Sequence, residues 1–320
     1  MPHSGGGRPL LHLDHAAVDA LLPWEALTDA LGEMFRTGCE APLRHAHAWQ
    51  EDRARNTLLL MPAWQAGRYT GVKIVHVAPG HAPAVHAAYL LSDAASGAPL
   101  ALLDGGALTD RRTAAASVLA ARYLARPESR RLMLLGSGKV AHALAQAYRT
   151  AFPIESISVW SREAANAERL AARLRAEGHP AQAVADPDPA EADIISSATL
   201  SHAPLIPGAT VRPGTHVDLV GAFRADMRES DAALLARATL VVDTRAGALA
   251  EAGDVVQAIA EGAFGPEHVA AELADLCRGV HPGRRDPGEV TVFKSVGWAG
   301  EDLAAAIQAY EGSLAEAGRE

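Results

Sequence analysis

Arg130-Arg131-Leu132-Met133-Leu134-Leu135-Gly136-Ser137-Gly138-Lys139-Val140-Ala141 is the stretch that decides the fold. Its apolar run predicts a strand over 132–135, and the residues after the glycines predict a helix over 138–150. In a Gly-x-Gly-x-x-Ala turn of this kind, Gly136 permits the tight bend. Gly138 lets the backbone approach a pyrophosphate, and Ala141 is small enough for the helix to pack close to the sheet. The free N–H groups at the helix start then favour an anion. A second apolar strand, 157–160, follows at the spacing of a strand–helix–strand unit. The dinucleotide-binding candidates are therefore Gly136, Ser137, Gly138, Lys139 and Val140. The second strand ends in Trp160-Ser161-Arg162, where NAD sites usually carry an acid for the ribose 2′-OH. A hydroxyl and a guanidinium suit a 2′-phosphate, so Ser161 and Arg162 favour NADP(H). NAD(H) is the alternative, with Arg162 solvated and Glu163 on the ribose.

Outward from this unit the chain divides in two. Beyond it, strands are predicted at 192–197, 216–220, 240–242 and 290–293, with helices over 163–177 and 229–236 and a Pro/Asp-rich loop at 185–190. Such alternation predicts a parallel, doubly wound sheet. Before it, a short strand at 10–13 precedes helices over 14–21 and 23–37, with Pro23 in a first turn. Strands then read at 44–49, 57–61, 71–77, 85–93 and 99–104, the last two forming a hairpin across Ala95-Ser96-Gly97. An Ala-dense helix over 109–125 leads into the glycine turn, and a helix over 301–314 closes the chain. The expected fold class is α/β, a Rossmann domain plus a smaller α+β domain.

The 320 residues suit about two domains. Hydrophobic residues make up 49% and aromatic residues only 5%, so packing must rest on Ala, Leu and Val. A net charge of -9 argues against nucleic acid or an anionic membrane as the main partner. No run reaches the roughly 20 apolar residues of a membrane span. Residues 1–10 look frayed and lack a signal-peptide pattern. With only Cys39 and Cys277 as thiols, the cytoplasm is the expected location. Fourteen histidines are scattered without ligand spacing, so no metal site is expected.

The second constellation is Leu108-Thr109-Asp110-Arg111-Arg112-Thr113 at the start of the Ala-rich helix. Arginine makes two parallel hydrogen bonds to a carboxylate, and a helix start suits an anion. Alternatively this is a capped helix with surface arginines. Lys73 stands in the apolar pattern Val72-Lys73-Ile74-Val75, where an unpaired charge is costly.

These segments resemble the ornithine cyclodeaminase/mu-crystallin family over nearly the whole chain. The match rests on Ala41-Pro-Leu-Arg44, Gly71-Val-Lys73, Leu108-Thr-Asp-Arg-Arg112-Thr-Ala-Ala and Leu134-Leu-Gly-Ser-Gly138. It continues through Ala192-Asp-Ile-Ile195, Gly221-Ala-Phe223 and Thr291-Val-Phe-Lys-Ser295-Val-Gly297. The resemblance implies a substrate-binding and dimerisation domain of residues 1–113 with 298–320, a Rossmann domain of residues 114–297, and a homodimer. It also implies that Arg44, Lys73 and Arg112 hold an amino-acid carboxylate, with Lys73 and Arg112 as the catalytic candidates. Arg112 and Thr113 would lie near the cofactor phosphates, and Ser295, Val296 and Gly297 beside the nicotinamide. His86, downstream of Lys73, is a further substrate-pocket candidate.

One departure redirects the expected chemistry. Where ornithine cyclodeaminases carry an acid that handles the substrate amine, this chain has Phe223, and Asp226 lies three residues further on. A phenyl ring takes up no proton but can wall a pocket for an apolar ring. The resemblance then implies an NAD(P)H-dependent reductase of cyclic imino acids. The substrate would be 1-pyrroline-2-carboxylate or its six-membered homologue, giving L-proline or L-pipecolate. The alternatives are an ornithine cyclodeaminase or alanine-type dehydrogenase of the same family, or a non-catalytic NADPH-dependent ligand-binding protein.

Overall fold

The computed structural model describes residues 9–49, 56–78, 81 and 83–318. The first eight residues, expected to be frayed, lie outside the described residues. The chain separates into two compact units. The first holds residues up to Pro23, Gly38–Thr109 and Ala299 onward; the second holds Trp24–Thr37 and Asp110–Trp298.

The first unit is a six-stranded sheet with helices. Its strands are β1 (Leu11–Leu13), β2 (His45–Ala48), β3 (Thr57–Gln65), β4 (Tyr69–Val77), β5 (Val85–Asp93) and β6 (Pro99–Asp104). They are ordered β1-β6-β5-β4-β3-β2, antiparallel except for the parallel β1–β6 pair. Strand alternation gives the sheet two different faces. Met61, Lys73, Tyr89 and Leu103 form one cross-strand row, and Ala63, Gly71, Leu91 and Ala101 the next; all eight are buried. A last helix, Ala299–Ala317, packs with β3, β4 and β5. It is buried from Ala299 through Ile307 and at Ala309 and Tyr310, and helix α1 (His15–Leu21), capped by Asp14, packs with it. The closing helix groups with this unit.

The second unit carries helix α2 (Trp24–Thr37) and most of α3 (Gly105–Leu124). Its strand–helix alternation runs through β7 (Arg131–Leu135), α4 (Lys139–Ala151), β8 (Ser156–Trp160), α5 (Ala164–Ala176), β9 (Ala181–Ala183) and β10 (Ile194–Ser197). It continues with β11 (His216–Leu219), α6 (Ala232–Arg237), β12 (Thr239–Val242), α7 (Arg245–Glu251), α8 (Gly253–Ala260), β13 (Val269–Glu272), α9 (Leu273–Cys277) and β14 (Thr291–Lys294); the final helix is α10. All eight strands are parallel, in the order β13-β12-β14-β11-β10-β7-β8-β9. The order reverses between β7 and β10, and ligands of such sheets bind outside the strand ends at that reversal. Two apolar clusters fill the space between sheet and helices.

Two expectations change. Helix α2, expected in the first domain, groups with the dinucleotide-binding unit because it packs with α4 and α9. Its Phe35 ring lies 4.8 Å from that of Trp298, and its Trp24 carries the Arg111 guanidinium 3.8 Å above its ring. Helix α3 begins at Gly105 and not at Thr109, because Asp104 accepts the Ala107 N–H at 2.7 Å and caps it four residues earlier. Arg112 and Thr113 therefore lie about two turns inside the helix. Any anion they bind is held by their side chains and not by a helix N-terminus. No helix among the described residues is long and apolar enough to cross a membrane.

Candidate active site

The glycine turn has the geometry its sequence predicts. Gly136 adopts φ +117°, and a Cβ there would lie 2.5 Å from the Ala198 carbonyl oxygen. A side chain is thus excluded twice, by conformation and by space. A Cβ on Gly138 would meet no atom within 4 Å, so the backbone is open to a close-approaching ligand. Gly138 is the N-cap of α4 and supplies no side-chain cap, which leaves the first N–H groups free for an anion. Ser137 and Ser161 join hydroxyls at 3.0 Å, tying the turn to the end of β8. Ser161 is half-buried, and Arg162, Gly138 and Lys139 are exposed. These features fit a dinucleotide.

Arg112, Thr113 and the 295–297 segment belong to the same unit. Arg112 and Thr113 are buried on α3. Gly297, at φ +89°, lies under Arg112: a Cβ there would come 3.0 and 3.1 Å from the two terminal guanidinium nitrogens. Phe223 follows Gly221 and Ala222 on the turn after β11. Ala222 has φ 50°, a left-handed conformation that a non-glycine residue rarely adopts. Phe223 is half-buried and packs on the apolar cluster beneath. Asp226 does not take the place of the missing acid, since it is exposed and ion-paired with Arg224 at 2.7 Å.

The first unit holds Lys73, Arg44 and His86. Lys73 is buried and its ammonium lies 2.8 and 2.9 Å from the two carboxylate oxygens of Asp302, a fully buried residue in the first turn of α10. Thr109 Oγ1 is 3.4 Å from the same nitrogen. Arg44 is half-buried and immediately precedes β2. By the β2–β3 register it shares the face of Lys73, two strands away. His86 does not join them. It pairs with His76 across the strands, so alternation places its exposed side chain on the opposite face.

Several buried polar residues that no ligand motif marks support these groups. Asp243, directly after β12, accepts the Thr244 N–H on one oxygen, and the Val296 and Gly297 N–H groups (both 2.8 Å) on the other. Lys294, fully buried on β14, donates to the Leu219 and Gly221 carbonyls and lies 3.6 Å from Asp254. Glu229 accepts from Ser197 Oγ, Thr199 N and Thr199 Oγ1, anchoring the loop that faces Gly136. Burial raises its carboxyl pKa. Asp218 accepts three hydroxyl donors, from Ser117, Ser196 and Tyr148, and burial lifts it to about 6. No group of three metal-ligating side chains occurs among the described residues.

A parallel doubly wound sheet with an open glycine turn at its order reversal defines a dinucleotide-binding protein of the Rossmann class. The model of the ornithine cyclodeaminase/mu-crystallin family matches residues 14–317, and the chain belongs to that family. It is 43% identical to the Delta(1)-pyrroline-2-carboxylate reductase of Paracoccus denitrificans over 86% of this chain and 92% of that protein. The structure of Thermococcus litoralis Delta(1)-pyrroline-2-carboxylate reductase in complex with NADH and L-proline superposes with a TM-score of 0.91. Its identity is 32%, over 96% of this chain and 98% of that one. An archaeal alanine dehydrogenase dimer with bound NAD gives a TM-score of 0.88 at 29% identity, over 96% and 97% of the two chains.

Proposed function

We propose that this protein is an NAD(P)H-dependent reductase of cyclic imino acids, converting 1-pyrroline-2-carboxylate or 1-piperideine-2-carboxylate to L-proline or L-pipecolate. The observation that carries the reading is the half-buried Phe223 on the turn after β11, where a cyclodeaminase would need an acid, with Asp226 already engaged by Arg224. Names of relatives agree: pyrroline-2-carboxylate reductases occur among proteins 34–43% identical to this chain.

When bound, the nicotinamide cofactor supplies a hydride. Gly136, Ser137, Gly138, Lys139 and Val140 would hold its pyrophosphate through backbone N–H groups, and Ser295, Val296 and Gly297 would hold its nicotinamide end. Arg44, Lys73 and Arg112, the positions that match the family's carboxylate-binding residues, hold the substrate carboxylate, and Thr113 lies near the phosphates. Phe223 walls the apolar ring. The protonated imine carbon accepts the hydride, the C=N π electrons move to nitrogen, and a secondary amine results. An imine that enters already protonated needs no strong general acid, so positioning by fixed cations carries most of the catalysis.

Ser161 and Arg162 favour NADP(H) over NAD(H). A homodimer is supported by the second face of the six-stranded sheet, where Leu58, Leu60, Val72, Ile74, Leu90 and Leu102 form a half-buried apolar surface. Two free thiols, Cys39 and Cys277, fit a cytoplasmic location. The deciding experiment is one matrix of NADH and NADPH against both cyclic imines, pyruvate with ammonia, and ornithine. Reduction of a cyclic imine without ammonia supports the reading. Turnover of ornithine without reductant, or tight NADPH binding with no hydride transfer to either imine, overturns it.

A further inference from the structure

We propose that Asp243 is a positioning residue that, through Gly297, sets the guanidinium of Arg112, so that the segment beside the cofactor and the carboxylate clamp move as one body. The inference rests on the proposed reductase activity for its kinetic consequence, but not for its structural one.

Asp243 is fully buried at the carboxyl end of β12, next to β14 in parallel register. One oxygen accepts the Thr244 N–H at 2.7 Å. The other receives the consecutive N–H groups of Val296 and Gly297, each at 2.8 Å, with Ser295 Oγ at 3.3 Å. The two amides converge on that oxygen across Val296, and Gly297 then carries the chain onward in the left-handed region at φ +89°. A second anchor acts on the same segment: a Cβ on Gly247 of α7 would lie 2.9 Å from Val296 Cγ2, so that valine is seated against α7. With its amide fixed from below, Gly297 presents its other side to Arg112, whose guanidinium occupies the space a side chain would need. Both carboxylate oxygens of Asp243 are committed to backbone donors. A neutral amide in its place would turn an N–H donor toward one of those N–H groups.

The test uses D243N and G297A in the full chain. Hydrogen exchange of the unliganded protein is the readout that does not depend on activity. In D243N, amides of the 290–298 peptide and of the α3 peptide around Arg112 should both lose protection, while the β7–α4 peptide keeps its own. In kinetics, G297A should raise KM for the cyclic imine tenfold or more with less than a twofold change in KM for NAD(P)H, and D243N should raise both. Loss of protection confined to 290–298, or an unchanged imine KM in G297A, overturns the coupling. If the wild-type protein reduces no cyclic imine, the reductase reading fails and the exchange experiment still decides this inference.

Discussion

The Lys73–Asp302 pair offers the sharpest energetic test. Both side chains are nearly or fully removed from water, at 3% and 0% exposure, and the ammonium lies 2.8 Å from the nearer oxygen. At an effective dielectric of about 20, Coulomb's law gives roughly 6 kcal/mol of attraction at that separation. The desolvation of both ions offsets much of this, so the pair is worth far less than its gross attraction. Breaking it is a different matter, because one charge then stays buried without its counterion, at a cost of about 3–5 kcal/mol. Against a typical total stability of roughly 5–15 kcal/mol, that loss is large. The perturbation is the cycle of Lys73→Met, Asp302→Leu and the double variant, measured by urea unfolding with tryptophan fluorescence. Each single variant should lose about 3 kcal/mol or more. The double variant should lose no more than either single variant, which leaves a coupling of about 3 kcal/mol or more. Single losses that simply add in the double variant would refute a coupled buried pair. The cycle also separates stability from function: Asp302→Leu with Lys73→Met should fold well yet bind the imine carboxylate poorly, since Lys73 is the proposed ligand for it.

Four further outcomes are expected. Arg112→Ala removes the proposed charge-assisted hydrogen bonds to the substrate carboxylate, each group of this kind being worth about 1.5–3 kcal/mol, so kcat/KM for the imine should fall roughly 10- to 100-fold; an unchanged value removes the clamp. Gly136→Ala places a methyl group 2.5 Å from the Ala198 carbonyl at φ +117°, and fluorescence titration should show NAD(P)H binding weakened at least about tenfold by the displaced turn. Arg162→Ala should raise KM for NADPH several-fold and leave NADH unaffected; equal effects on both would show that Arg162 does not read the 2′-phosphate. His216 is fully buried, and burial together with the Arg284 charge lowers it to about 3. The unfolded chain takes up a proton near pH 6.5 and the native chain only near 3. Native stability is therefore lost as pH falls through that window, at up to about 1.4 kcal/mol per pH unit. His216→Asn should flatten this limb in unfolding curves from pH 7 to 3.5, and an unchanged limb would place the acid sensitivity elsewhere.

The residues proposed to face ligands are legible in the sequence, and the residues that hold them in place are not. The glycine turn, Lys73 and Arg112 stand in short contiguous patterns whose local geometry follows from a few neighbours. Their supports come from far along the chain. Lys73 in an apolar strand announces that a partner is required, but Asp302 lies 229 residues away and only the packing of α10 on the sheet identifies it. Asp243 reads as one more acid near a strand end. Its role appears when β12 is found beside β14, which brings residues 52–54 positions later onto its carboxylate. His86 fails for the same reason in reverse: a one-residue difference in register moves a side chain to the other face of a sheet, and the register became visible only with Tyr89 opposite Lys73. The short edge strands β9 and β13 escaped because Ala-Gln-Ala and Val-Ala-Ala-Glu carry little strand propensity and are ordered by their neighbours β8 and β12. Helices α7 and α8 were hidden by Gly247 and Gly253, which look like breakers. Gly253 is required because a Cβ there would lie 1.9 Å from the Met227 carbonyl oxygen. In each case the deciding fact is a pairing between distant strands or helices. Substitutions at Asp243, Lys294 or Asp302 should therefore disturb binding through displaced ligand-facing groups, although none of the three belongs to a motif that names a ligand.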